Sequence, residues 1–562
     1  MSTDKCTKKS CQHKTIVTTT IYWCDECKVP IFDKQCNCCG KEGKYLATDI
    51  RPVFPEEKLL IGIILKPSNI FEYNNSSIWY GGNYYFIDGK KNELSFTKLN
   101  MLPDDEIVKI KNIYDSNVNN IEYSYFNEMI DKFVAANSER YNYIENEAID
   151  FIKGYANKYS LNDMFVSFSG GKDSTVTSHI VRKALCTNKI LHIFGDTTLE
   201  FDLTYKYKER FVKEEGIRVL TAKNREKDFE ELCKIVGPPS RVMRWCCTVF
   251  KTGAISKTIL SAFKNQSNIL TFYGIRKNES ASRSKYERES DSPKITKQTV
   301  VSPIIEWIDF DVWLYILTNK IDFNDAYRLG FARVGCWCCP NNSSRSEFLS
   351  KVYMYERYTK WHKLLLDFAK GIGKPDAEVY VNTGKWKARQ GGNGLEISKK
   401  TVVAFEPCAT EENAFNYELQ REITEELYEL FKPFGRINKE LGNKRLGEVY
   451  VIDLKGNVAL VLQGRIGTNR LKVIIKNKKI AHSNSLDAAE KKIQCQLTKY
   501  QLCMGCKACE SICKFDAIKI KSIGDKTTYT IDDNKCKRCT ECVGHFNAGC
   551  YMRKVIMTKR GN

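Results

Sequence analysis

Met164-Phe-Val-Ser-Phe-Ser169-Gly-Gly-Lys-Asp-Ser-Thr175 joins an apolar run to a glycine turn and then to a helical pattern. A strand-turn-helix unit of this kind binds phosphate. Gly170 and Gly171 admit φ > 0 and close approach of backbone to an anion, and the helix predicted to begin near Ser174 points its unpaired N–H groups at the same place. Val176, Ile180 and Ala184 recur at helical spacing and give that helix a buried stripe. The spacing differs from the G-x-x-x-x-G-K-S/T pattern of the P-loop nucleotide triphosphatases.

Beyond this stretch, apolar runs at Ile190–Phe194, Ile217–Leu220 and Ile269–Tyr273 alternate with helical segments. That alternation predicts a doubly wound parallel sheet with ligands at the strand C-terminal ends. The residues expected there are polar: Asp196, Thr197 and Glu200 after the second strand, and Gly274, Arg276, Lys277 and Arg283 after the later one. Asp196 or Glu200 suits a ribose hydroxyl or Mg²⁺, and the three basic residues suit phosphate or sulfate oxygens.

Six motifs in order carry a resemblance: Ser169-Gly-Gly-Lys-Asp-Ser174, Asp196-Thr-Thr-Leu-Glu-Phe201, Arg244-Trp-Cys-Cys247 with Lys251, Gly274-Ile-Arg276 with Glu279-Ser280, Pro303-Ile-Ile-Glu-Trp307, and Arg333-Val-Gly-Cys-Trp-Cys-Cys-Pro340. Residues of roughly 140 to 390 resemble the phosphoadenosine phosphosulfate (PAPS) reductase family of the adenine nucleotide α-hydrolase superfamily. The resemblance implies that the opening loop, like the S-G-G-x-D-S loop of enzymes that cleave ATP between its α and β phosphates, binds an adenine nucleotide. Ser169, Gly170, Gly171, Lys172, Asp173, Ser174, Thr197, Glu200, Gly274, Arg276 and Arg283 would contact it, with Lys172, Asp173 and Asp196 catalytic. It also implies one 4Fe–4S cluster on Cys246, Cys247, Cys336 and Cys339, the split pattern of adenylyl-sulfate (APS) reductases. Zinc in the same four-sulfur site is the competing reading, and Cys338 is the odd thiol beside it.

Two departures point towards ATP. The reductases carry a C-terminal Glu-Cys-Gly-Leu-His element whose cysteine attacks the sulfonucleotide; Glu541-Cys-Val-Gly-His545 is only superficially similar, and Cys542 is better explained as a cluster ligand. Conversely, Lys172 and Asp173 are both present in the loop, as in relatives that adenylate a substrate with ATP. DNA phosphorothioation sulfurtransferases share the intact loop and are the closer mechanistic analogy.

At the N-terminus, Cys24-Asp-Glu-Cys27 and Cys36-Asn-Cys-Cys39 form two knuckles that suit one structural Zn²⁺ on Cys24, Cys27, Cys36 and Cys39. Cys6, Cys11, His13 and Cys38 are spare. At the other end, Cys503-x₂-Cys506-x₂-Cys509-x₃-Cys513 is the bacterial ferredoxin run, and Cys536, Cys539, Cys542 and Cys550 repeat it. It resembles a fused ferredoxin with two 4Fe–4S clusters, in which Cys550 completes the first cluster and Cys513 the second. Lys514 replaces the customary proline. With the central site, three clusters are expected; delivery of electrons and a purely structural pair are both open roles for the last two.

The 562 residues exceed one core, and a net charge of +20 favours a polyanionic partner. Residues 1–10 lack the apolar core of a signal peptide, and the longest apolar run, Leu59–Leu65, is too short to span a bilayer, so a cytoplasmic location without membrane attachment is expected. In that reducing setting the 24 cysteines read as metal ligands and not as disulfides.

The expected architecture is therefore multidomain. It comprises a zinc ribbon (1–48), a small β-rich domain (49–119), a central α/β nucleotide-binding domain with a helical lead-in (120–392), an α+β connecting module (393–495) and an α+β ferredoxin-like domain (496–562). Aromatics in the β-rich domain either stack on bases or simply fill a core. The basic run Gly384–Gly392 covers the pocket, meets phosphate or is a solvated loop. The expected function is ATP-dependent, pyrophosphate-releasing sulfur transfer to a nucleic-acid or nucleotide acceptor, with Mg²⁺, a sulfur-donor protein and an electron donor. The alternatives are an APS/PAPS reductase forming sulfite and a non-catalytic iron–sulfur sensor that binds nucleic acid.

Overall fold

The opening apolar run folds as strand β1 (Met164–Phe168), buried at every position but Ser167. A strand covered on both faces reads as an unbroken apolar run, which is how the centre of a parallel sheet looks in sequence. Helix α1 (Lys172–Leu185) follows, then β2 (Leu191–Asp196), β3 (Val219–Lys223), β4 (Ile269–Tyr273), β5 (Glu289–Asp291), β6 (Gln298–Val301) and helix α2 (Asp309–Thr318). The computed structural model describes residues 3–5, 14–16, 19–291, 298–523, 526–544 and 550–557. It divides into two units, Met1–Ala222 with Leu260–Trp361 and Lys223–Ile259 with His362–Asn562.

In the first unit the strands lie in the order β3-β2-β1-β4-β6-β5. Strand β1 is parallel to β2 and to β4, β4 is parallel to β6, and β5 returns antiparallel on β6. Succession runs one way from β1 to β2 and the other way from β1 to β4, so the ligand crevice of a doubly wound sheet falls between the C-terminal ends of β1 and β4. Two details differ from expectation. Helix α1 begins at Lys172 and not near Ser174, and the third strand is Val219–Lys223, because Ile217 is spent packing against Phe168 and Phe211 before the strand starts.

The lead-in helices Ser124–Ala136 and Ser138–Ala156 bury Phe126, Met129, Ile130 and Phe133 as their spacing predicts. The segment from 49 to 119 departs further. Its antiparallel strands Arg51–Pro52, Ile78–Gly81, Tyr84–Ile87 and Lys90–Glu93 are present, turning at Gly82-Asn83 and Asp88-Gly89, all with positive φ. Leu59–Leu65, however, lies in a helix, Pro55–Leu65, buried on nearly every side, and a second helix spans Asp104–Asn117. A run that is apolar all round carries no period by which to tell helix from strand. The segment is α+β, not β-rich.

Trp23 and Ile31 of the N-terminal three-stranded sheet, Trp79 and Phe86 of the four-stranded sheet, Phe133 of the lead-in and Val166 of β1 all belong to one apolar core. The boundaries drawn at 48 and 119 run through it. A short cysteine-rich segment has too little apolar surface to build a core alone, so it shares this one.

In the second unit an antiparallel six-stranded sheet runs in the order Ala404–Pro407, Ala414–Glu418, Arg470–Ile475, Val458–Gln463, Glu448–Ile452, Arg436–Asn438. Between 411 and 434 the helical segments are Glu425–Glu429 and a 3₁₀ turn at Lys432–Phe434. Helix Leu486–Leu502 packs on the sheet and on the cysteine-rich C-terminal segment, whose hairpin pairs Ile518–Ile523 with Lys526–Ile531. Among the described residues no helix is long and apolar enough to cross a membrane.

Candidate functional site

The loop after β1 is built to leave backbone N–H groups open at the head of α1. Gly170 takes φ +71, and a Cβ there would stand 2.8 Å from Thr204 Cγ2. Ser174 Oγ donates to Gly171 O at 2.8 Å and accepts from Ser169 N at 3.1 Å, folding the loop on itself. Asn324 Nδ2 donates to Gly170 O (3.2 Å), and Lys172 N donates to the Tyr327 hydroxyl (2.9 Å). Strand β4 closes on this loop through Gly274, where a Cβ would meet Asp173 O at 2.6 Å and Ser174 N at 2.9 Å. No residue but glycine lets the two strand ends approach so closely.

Next to the loop lies a buried ionic network. Arg276 donates through Nε to Asp173 Oδ1 and through Nη2 to Asp309 Oδ1 (2.6 Å), while Lys172 Nζ sits 3.3 Å from Asp309 and 3.5 Å from Asp173. Asp49 closes it: its carboxylate accepts from Asn278 Nδ2 and from the N–H groups of Asp309 and Phe310, all at 2.9–3.0 Å, capping α2. Burial opposes ionisation of Asp173, but the Arg276 and Lys172 charges hold it below the usual carboxylate range, and the same pair holds Asp309 at about 2. Burial likewise opposes the Lys172 ammonium, and Asp173 and Asp309 outweigh it. Two cations thus face three carboxylates. Burial and the Asp309 charge push Asp49 up to about 7.

After β2, Asp196 accepts from Thr198 N and Tyr205 OH, both 2.8 Å, and Glu200 accepts from Thr197 Oγ1 at 2.7 Å. This loop is bridged antiparallel to Cys336 through Glu200, and the Cys336 Sγ lies 3.5 Å from Thr197 Oγ1. Residues 163–342 match one family model from end to end of this arrangement. The model is that of the phosphoadenosine phosphosulfate reductase domain, which these residues resemble.

Relatives of the PAPS reductase domain agree. An uncharacterised protein of Methanocaldococcus jannaschii is 33% identical over 51% of this chain and 57% of its own. The adenosine 5′-phosphosulfate reductase of Neisseria meningitidis serogroup B is 33% identical over 23% of this chain and 47% of its own. Subunit 2 of a sulfate adenylyltransferase from Akkermansia muciniphila is 27% identical over 30% of this chain and 59% of its own. The chain spans about half to six tenths of the length of the curated relatives it matches.

Of the residues expected to hold the nucleotide, Ser169 to Ser174, Gly274 and Arg276 are gathered at the β1/β4 crevice. The Arg276 guanidinium is committed to Asp173 and Asp309, which makes it a brace for the loop in this state. Arg283 and Lys277 pair with Glu279 and Glu306. Asp49, Asp309, Tyr327 and Asn324 had no signal of their own in the sequence; only Asp309, two residues beyond the Pro303–Trp307 motif, was near one.

The remaining cysteines are divided between the two units. Cys24, Cys27, Cys36 and Cys39 place their sulfurs within 4.8 Å of one another, a geometry that fits a tetrahedral metal. Cys6, Cys11 and His13 lie outside the described residues. Cys336 and Cys339 belong to the first unit, Cys246 and Cys247 to the second, where Cys247 opens a π-helical turn, Cys247–Thr252.

The C-terminal cysteines sort into two groups. Burial raises the Cys506 thiol, and the neighbours that add to the effect are Cys550, Cys509 and Cys503. Burial raises Cys536 as well, with Cys513 and Cys539 adding to it, and Cys513, Cys536, Cys539 and Cys542 line one small cavity with Ile518 and Ile531. Cys542 and Cys550 are each held up to about 12, chiefly by burial. Buried thiols of this kind ionise when a metal binds, so both quartets fit iron–sulfur ligation.

The basic run 384–392 is not uniformly solvated. Lys387 is buried, and Arg389 gives its guanidinium to the carbonyls of Val236, Pro238 and Gly391.

Proposed function

We propose that this protein uses ATP to adenylate an acceptor oxygen and then replaces that oxygen with sulfur, the acceptor being a nucleic acid. The observation that carries the proposal is the intact loop, with Lys172 and Asp173 both fixed at the start of α1 beside the crevice. An acceptor oxygen attacks the α-phosphorus, the bond to the bridging oxygen breaks, and pyrophosphate leaves. A sulfur nucleophile then attacks the adenylated carbon, and AMP leaves with the original oxygen. The loop amides and Lys172 stabilise the charge that develops on the phosphates, a role in which removing a single donor costs about 10²–10³ in rate. Asp173 or Asp196 would hold Mg²⁺ with the nucleotide.

Four thiolates from Cys246, Cys247, Cys336 and Cys339 suit a 4Fe–4S cluster, which when bound supplies a soft site for sulfur or an electron. The two C-terminal quartets suit two further clusters that pass electrons, and the N-terminal four suit structural Zn²⁺. A sulfur-donor protein and an external electron donor complete the set of partners. A second reading, reduction of APS or PAPS to sulfite, draws support from the split cysteine pattern and from the activity named for the Neisseria relative. Anaerobic incubation with ATP, APS and PAPS in parallel separates the two. Sulfur in recovered RNA or DNA supports the first, whereas sulfite from a sulfonucleotide without any ATP requirement supports the second.

A further inference from the structure

A second cavity lies wholly within the second unit and has no part in the nucleotide crevice. It encloses about 1260 Å³ between the segment that carries Cys246 and Cys247, the strand entry at 398–403 and the last helix, Tyr551–Ile556. Small-molecule sites commonly occupy about 300–1,000 Å³, so this one is roomy for a single metabolite. Arg244, Arg553 and Lys554 line it, and no carboxylate does among the described residues. Arg244 and Lys554 are exposed and form no ion pair among the described residues, so their charges are available to an anion.

The rest of the wall is suited to bases and not to a simple anion. Gln390, Asn393 and Gln494 offer both donors and acceptors, and the Tyr551 ring stands among them, its hydroxyl reaching Arg244 O at 3.4 Å. Val242 and Val402 form an exposed apolar rim, 59% and 62% accessible. Cys247 itself reaches the cavity.

From this lining we infer that the cavity binds a single-stranded stretch of polynucleotide, phosphates on Arg244, Arg553 and Lys554 and a base against Tyr551, next to Cys247. The inference rests on the proposed nucleic-acid acceptor and gives that acceptor a place.

The test is fluorescence anisotropy with labelled single-stranded RNA and DNA oligonucleotides, using full-length anaerobic protein without ATP. Replacing both unpaired cations, Arg244→Gln with Lys554→Gln, should weaken binding about tenfold or more and flatten the salt dependence by about 1.4 in slope, two phosphate contacts' worth. The charge-preserving pair Arg244→Lys with Lys554→Arg should keep both. Iron content and melting temperature equal to wild type establish that the neutral variant is folded. A preference for RNA or for DNA names the source of the acceptor and supports the site. Binding by wild type that the neutral variant retains undiminished, slope included, overturns this cavity while leaving a nucleic-acid acceptor in place. Binding of neither polymer by wild type overturns the cavity and the acceptor together, yet leaves ATP cleavage open to its own assay.

Discussion

Asp49 shows how much of the site rests on a residue with no motif around it. It caps α2 from far away in the chain, beside the Asp173–Arg276–Asp309–Lys172 network, and burial with the Asp309 charge raises its carboxyl. Because its carboxyl is held up to about 7, the folded chain binds more protons there than the unfolded chain does between the ordinary carboxylate range and neutrality. Its contribution to stability is therefore complete in acid and is lost as pH rises through about 7. Urea unfolding as a function of pH should show that fall in wild type, and Asp49→Asn should flatten it; an unchanged slope would mean that Asp49 is ionised throughout. Gly274 makes a second prediction at this scale. Its Cβ would press on the Asp173 carbonyl at 2.6 Å, so Gly274→Ala must move the loop or the strand. Overpacking of this sort costs about 1–3 kcal/mol, and calorimetry should show a lower melting temperature together with weaker binding of a non-hydrolysable ATP analogue.

At the scale of elements, the helix Pro55–Leu65 is the instructive case. Its apolar run reads as a strand because it is covered on every side, and the residue that ties it down is a charge. Glu57 is buried and accepts from Arg51 through both oxygens, at 2.8 and 2.9 Å; Arg345 and the Tyr85 hydroxyl also donate to its Oε1. Burial opposes that carboxylate, but the two arginines hold it below its ordinary range. The triad joins the Pro55–Leu65 helix, the Tyr84–Ile87 strand and the helix Ser344–Tyr353 that follows Cys339. Glu57→Gln leaves two guanidinium groups facing a neutral amide in a dry setting, and breaking a buried pair in this way costs about 3–5 kcal/mol. Denaturant titration should show that loss, while a change under about 1 kcal/mol would mean that water reaches the triad.

For the whole molecule, what could be read from sequence follows from where the information is local. The loop at Ser169–Ser174, the alternation of β1 to β4 and the cysteine spacings each lie within a few residues, so the doubly wound sheet and the metal-ligand candidates were visible at once. The ionic network draws on Asp49, Asp173, Arg276 and Asp309, and the shared core runs from Trp23 to Trp313; contacts so far apart leave no local pattern. The same reasoning explains why the sequence suggests five segments while the chain folds as two compact units. Because Trp23, just before the first knuckle, and Ile31, between the two, pack in the core that also holds Val166 of β1, metal there should stabilise the first unit as a whole. Scanning calorimetry with and without a strong chelator should show a drop in its transition alongside release of the metal; melting unaffected by full metal removal would confine the knuckles to local order.

The most direct measurement is pyrophosphate released from ATP by the anaerobically purified protein in the presence of RNA or DNA, wild type beside Lys172→Met. The adenylating account predicts pyrophosphate and AMP in equal amounts from wild type and a fall of at least about 10²-fold in the variant. No pyrophosphate from ATP under any acceptor, with sulfite appearing instead from APS or PAPS, would contradict it.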